Sequence, residues 1–218
     1  MNKPIMLLAA ALVLLGGCKA AIQDTYFDLW EKVGVEKREI LVDRVEDAQE
    51  TQQDAQQQFA SALEEFSALI NFDGGELEDF YQSLNEQFEA SQESANEVSS
   101  RIDKVQSVAE SLFREWESEL TLIKNANLKR DSQRKLKETE RKYDSLLRSM
   151  RKVEGSMQPV LSALQDNVLY LKHNLNAKAV GALKGELNTI KKDVDSLLGE
   201  MNTAISQSDE FIKSLQTE

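Results

Sequence analysis

The sequence predicts an all-α protein, an elongated antiparallel up-down four-helix bundle of coiled-coil character. Three observations predict it. Apolar residues recur in alternating steps of four and three along most of the chain, Pro159 is the only proline after Pro4, and the polar positions are mostly Glu, Gln, Lys, Arg, Ser and Asp. That composition favours helix. An apolar step averaging near 3.5 residues predicts helices that supercoil left-handedly around a shared seam.

The first element, residues 1–17, reads as an export signal rather than as part of the bundle. A positive start at Lys3 precedes an unbroken apolar run from Ile5 to Leu15, too short for a membrane span, which needs roughly 20 apolar residues. The run closes on Leu15-Gly16-Gly17-Cys18, which resembles the bacterial lipobox. The resemblance implies that Cys18 is acylated, palmitate included, and that the chain is cut before it. Because Cys18 is the only cysteine, no disulfide within the chain is available and the fold rests on burial alone. Lys19, not Asp, follows the cysteine, and the same resemblance then implies the outer membrane, periplasmic face, with the inner membrane as the lesser alternative. Cleavage leaves 201 of the 218 residues and, by removing Lys3, moves the formal net charge from −12 to −13. Such an acidic chain is not expected to bind nucleic acid, whose phosphates recruit Lys and Arg.

Residues 18–35 form a lead-in containing Tyr26, Phe27, Leu29 and Trp30, aromatics suited either to the membrane-water boundary or to closing the bundle's lower end. The bundle itself occupies 36–218. Its first helix, about 36–71, carries Leu41, Val45, Ala48, Gln52, Ala55, Phe59, Ala62, Phe66 and Leu69 on one face. The second, about 74–124, carries Leu77, Tyr81, Leu84, Phe88, Ser91, Ala95, Val98, Ile102, Val105, Ala109, Leu112 and Trp116. Asp73-Gly74-Gly75-Glu76, between Phe72 and Leu77, reads as its capping box and hydrophobic staple. The third, about 131–173, shows Tyr143, Leu147, Met150, Met157, Leu161, Leu164, Val168 and Leu171, with Pro159 off the stripe, where a bend is expected rather than an end. Asn174-Leu175-Asn176 ends it and caps the fourth helix, about 177–216, whose seam runs from Val180 to Leu215 through Leu183, Leu187, Ile190, Val194, Leu197, Met201, Ala204, Ser208 and Phe211. Short connections force antiparallel neighbours.

Four stretches, Gly34–Arg44, Phe72–Glu78, Leu112–Leu120 and Leu171–Ala177, resemble a Gram-negative envelope lipoprotein family catalogued only as a domain of unknown function. The resemblance extends over nearly the whole processed chain and implies no activity, ligand or catalytic residue.

Motifs for catalysis are not found: no Gly-rich phosphate loop, no Gly-x-Ser-x-Gly elbow, no His-Glu-x-x-His and no cysteine beyond Cys18. No enzyme activity and no cofactor are expected. A di-iron bundle needs paired Glu-x-x-His motifs, and the single histidine, His173, has Tyr170 three residues before it. His173 fits better as a cationic or hydrogen-bonding group at a helix end. The acidic turn Asn71–Asp79 offers oxygen ligands for a hard cation but lacks EF-hand spacing, and capping already accounts for Asp73 and Glu76.

Charge is the most informative feature left. Residues 36–100 hold 3 basic and 17 acidic side chains, while residues 125–156 hold 10 basic and 5 acidic. Lys129, Arg130, Arg134, Lys135 and Lys137 would face the membrane if the connection between helices 2 and 3 returns to the anchored end. They are the candidate surface contact, to anionic headgroups or glycan. The competing reading is that Glu115, Glu117 and Glu119 neutralise them across the hairpin and so fix pairing.

Two function classes follow. One is a non-enzymatic, lipid-anchored envelope scaffold with protein partners and an open oligomeric state. The other is a binding module for an ion or a small apolar ligand among polar core positions, of which Gln52, Ser91, Thr139 and Ser208 are the candidates.

Overall fold

The computed structural model describes residues 37–70 and 77–216, four helices and their two later connections. These are α1 (Lys37–Ile70), α2 (Leu77–Leu122), α3 (Ala126–His173) and α4 (Ala177–Gln216). Each packs against two others, α1 on α2 and α4, α3 on α2 and α4. The helices therefore form a closed ring in which α1 lies diagonal to α3, and α2 to α4. At 1.5 Å per residue the 48-residue α3 is about 70 Å long, so the bundle is a rod.

The apolar stripes meet along the axis of this ring. All nine predicted seam positions of α1 are buried, none more than 1% exposed. In α2 burial is complete from Leu84 to Ala109 apart from Phe88, which with Leu77, Tyr81 and Leu112 packs half-buried against the core. In α3 the sequence offers Leu146 and Leu147 side by side, and the structure buries Leu146 and leaves Leu147 at the margin, a correction to the predicted seam. Phe113 meets Tyr143 edge-on with ring centroids 5.4 Å apart, and Tyr143 in turn tilts against Phe211 at 6.3 Å, tying α2, α3 and α4 into one aromatic layer.

Polar ties at the seam margins set the antiparallel register. Lys37 pairs with Glu115 at 2.8 Å, and Gln58 Nε2 donates to Gln87 Oε1 at 2.8 Å, between α1 and α2. Arg151 reaches from α3 to Asp103 and Gln106 of α2. Gln49 Nε2 donates to Asp209 Oδ1 at 2.7 Å, and Ser156 Oγ to Glu200 Oε2 at 2.5 Å, closing α4 onto α1 and α3.

The helix ends show local chemistry. Asn176 Oδ1 accepts from the backbone N–H groups of Lys178 and Ala179, opening α4, while the N–H of Asn174 donates to the carbonyl of Leu171, closing α3. This matches the expectation for Asn174-Leu175-Asn176. α3 runs unbroken through the exposed Pro159. It begins five residues earlier than predicted, at Ala126, because Asn125 is extended and its side-chain oxygen accepts from the N–H groups of Asn127 and Leu128. The apolar stripe had placed the start at Asp131, but a cap acts where the backbone needs it, whether or not the next turn is buried. The Asp73 cap, the aromatic lead-in and Cys18 lie outside the described residues.

Candidate functional site

Among the described residues the α2–α3 hairpin is longer than the bundle that supports it. Lys37, at the start of α1, stands level with Glu115. About seven residues of α2 thus extend past Lys37, the first described residue of α1, roughly 10 Å of helix. Phe211 stands level with Tyr143, so the first dozen residues of α3 likewise run beyond the end of α4, at Gln216. The projecting pair is held by small local contacts. Leu120 and Leu136 are buried, Trp116 Nε1 donates to Ser132 Oγ at 2.8 Å, and the Arg38 guanidinium lies 5.8 Å from the centre of the Trp116 ring. Beyond them Leu122 and Leu128 are 76% and 63% exposed.

The five predicted contact residues all lie on α3, not in a loop. Arg130, Arg134 and Lys137 are exposed, while Lys129 and Lys135 are half-buried. Arg130 Nη2 donates to Asn127 Oδ1 at 2.5 Å, and Asp131 receives both Arg134 and Lys135, the latter at 3.9 Å. These partners are on the same helix. Across the hairpin Glu115 pairs with Lys37, and Glu117 lies close enough to Glu140 to disfavour its ionisation. Burial, then Glu117 and Asp144, push the Glu140 carboxyl above its ordinary range, with Lys137 opposing.

At 100° per residue the cations of α3 resolve into a stripe. Arg130, Arg134, Lys137, Arg141, Arg148 and Lys152 are all exposed and share the outward face of the helix. On the diagonal helix, Glu39, Asp43, Glu46, Glu50 and Asp54 form an exposed acidic stripe. By element, α1 and α2 hold 6 basic and 19 acidic side chains, and α3 and α4 hold 16 and 12. The charge separation read along the chain is thus chiefly a separation across the rod, because ring order puts the most basic helix opposite α1.

The polar core positions divide. Ser91, Thr139 and Ser208 are buried, and each hydroxyl donates to the carbonyl four residues earlier on its own helix, at Gln87, Lys135 and Ala204. Gln52 is fully buried and neither its Nε2 nor its Oε1 has a partner. Gln49 and Gln56, which donate to the carbonyls of Ile205 and Leu198, bracket it and set it level with Met201 and Ala204. Surface clefts lie between α1 and α2 at Asp47 and Arg101, and between α3 and α4 at Leu146 and Phe211 and again at Tyr170 and Leu183. None of the four polar core residues lines these three clefts.

His173 is exposed in the last turn of α3 beside Lys172. Among the described residues no three His, Cys, Asp or Glu side chains gather into a metal-binding group. Most of the acidic turn Asn71–Asp79 lies outside the described residues, while Glu78 and Asp79 occupy the first turn of α2 and are exposed. No described helix is long and apolar enough to cross a membrane.

Sequence reasoning missed the two exposed leucines, although both were readable as apolar residues outside any seam. Comparison with known proteins found a family model described as "Protein of unknown function (DUF2959)", matching residues 26–215. No curated protein and no solved structure matches the chain.

Proposed function

We propose, from the premise that the chain belongs to the DUF2959 family of proteins of unknown function, that it is a lipid-tethered envelope scaffold, a rod that holds contacts apart at a fixed distance. The observation that carries this reading is where apolar surface remains. Among the described residues the large exposed apolar side chains are Leu122 and Leu128 at one hairpin, and Leu169, Tyr170 and Leu175 at the other. The shaft between them is polar outside and apolar inside, which is what a spacer with working ends requires. Cys18, preceded by Leu15-Gly16-Gly17, is the proposed acylation site, and the outer membrane, periplasmic face, the proposed location. Envelope proteins are the proposed partners of the far hairpin.

Two measurements test the parts separately. Palmitate labelling and mass spectrometry of the amino-terminal peptide are expected to find acyl chains on Cys18, and Cys18→Ser is expected to leave the membrane fraction. A photo-crosslinking residue at Tyr170 or Leu175 is expected to capture envelope proteins in intact cells, while one at the exposed mid-shaft Gln53 is not. Capture at Gln53 alone would overturn the spacer reading. One observation favours a second reading, a ligand held inside the bundle: the amide of Gln52 is buried without partners. Three of its four polar positions are already occupied by their own helices, so the scaffold is preferred.

A further inference from the structure

We infer that the projecting α2–α3 hairpin is a second membrane contact, in which Leu122 and Leu128 enter the headgroup region of an anionic phospholipid bilayer while Lys124, Lys129 and Arg130 rest on its phosphates. The inference deepens the tethered-scaffold reading and rests on it. Three observations converge on this end of the rod.

The first is direction. α1 opens at this end with Lys37, and only residues 19–36 separate it from Cys18. A chain of that length spans at most about 65 Å when fully extended, and the tip of this hairpin stands only about 10 Å of helix beyond Lys37, well within that reach. The second is surface chemistry. Leu122 and Leu128, 76% and 63% exposed, flank the three-residue connection and have no seam to join, since the last buried pair of the hairpin is Leu120 and Leu136. Apolar side chains beside cations are the pattern of an interfacial contact. The third is charge. Between Leu120 and Leu136 the chain holds Lys124, Lys129, Arg130, Arg134 and Lys135 against Asp131 alone. The acids Glu115, Glu117 and Glu119 stand one to two turns behind the tip, away from the surface it would meet. A neutral or cationic surface would gain nothing from this arrangement, whereas each cation near an anionic surface raises binding about fivefold.

The test uses the whole processed chain as Cys18→Ser, which contains no other cysteine. Single cysteines replacing Leu122, Leu128 or Leu175 carry an environment-sensitive fluorophore. On vesicles with about one-third phosphatidylglycerol, labels at 122 and 128 are expected to shift to the blue and the label at 175 to stay unchanged. Phosphatidylcholine vesicles alone are expected to give a much smaller shift. L122S/L128S is expected to weaken vesicle binding about tenfold or more, and K124Q/K129Q/R130Q to abolish the preference for anionic lipid. Neither change touches the core, so both variants are expected to melt as the parent does. No shift on either vesicle overturns the inference, as does an equal shift at 175. A label at 122 already blue-shifted without vesicles, and unmoved by them, overturns it by showing that the chain's own lead-in or a second copy covers the leucines. Failure of the tether is read independently: Cys18 unmodified in cells, with the vesicle shift intact, removes the anchor and leaves the hairpin contact standing.

Discussion

Replacing Gln52 with methionine is expected to stabilise the protein, although it removes a polar group that a reader of the sequence would take for a functional one. Gln52 is fully buried, its amide nitrogen and oxygen both lack partners, and the hydrogen bonds made by Gln49 and Gln56 set it level with Met201 and Ala204. A buried polar group left unsatisfied costs about 1–3 kcal/mol of folding stability. Methionine is unbranched and close in volume, so Gln52→Met keeps the space filled and removes the desolvated amide, with a repacking cost below about 1.5 kcal/mol. The net expectation is a gain of about 1–2 kcal/mol. For a chain of this size each kcal/mol moves Tm by about 2–4 °C, so the variant is expected to melt roughly 2–8 °C higher. Gln52→Ala, which also removes the amide but opens a cavity, is expected to lose that gain. The assay is thermal and urea unfolding of the Cys18→Ser chain, with sedimentation alongside, because a lone polar seam residue can also fix alignment. A Gln52→Met variant less stable than its parent by 1 kcal/mol or more would refute the reasoning, since it would mean that the amide is satisfied in the native protein.

Three further outcomes follow from the same geometry. Arg151→Met, which loses the ties to Asp103, Gln106 and Glu154, is expected to destabilise by about 1 kcal/mol at low salt and less at high salt, read from urea midpoints. Burial first, then Glu110 and Asp144, push the Tyr143 phenol well above its ordinary range. Its folded form keeps the proton that the unfolded chain releases near pH 10, so stability is full below that pH and falls as pH rises beyond it. Tyr143→Phe is expected to flatten the alkaline fall in Tm and, because the hydroxyl has no partner, to cost little at neutral pH. Glu140 is also raised, by burial and by its like-charged neighbours Glu117 and Asp144. It therefore costs nothing in acid, where folded and unfolded forms are both protonated, and costs stability as pH rises through the folded value, so Glu140→Gln is expected to gain a few tenths of a kcal/mol at pH 7 and nothing below about pH 4.

The seams were legible because burial repeats with the helix period, and α1 shows this most fully. Where two neighbours are equally apolar, as at Leu146 and Leu147, periodicity cannot choose between them, and only the packing of α4 against α3 does. The early start of α3 was hidden for the opposite reason: its first turns bury little, so no stripe marked them, and Asn125 was readable as a cap only by a reader who did not require one. The excess of cations after residue 125 was plain, but its side of the rod was not, because sidedness depends on which helices end up diagonal. Gln52 stood out as a break in a seam. That it lacks a partner depends on residues about 150 positions away, which no local pattern reports.

The ring is closed by its last-made member. α1 packs on α4 as well as on α2, through ties such as Gln49 to Asp209 and Gln56 to Leu198 that join residues more than 140 apart in the chain. While the chain is threaded out amino end first, the flank of α1 that meets α4 stays bare until α4 itself arrives, and α3 waits with it. A message cut short before Ala177 therefore does not yield a thinner rod. It yields a sticky intermediate whose α1 and α3 flanks toward the missing helix stay open, the kind of species that proteases and chaperones intercept.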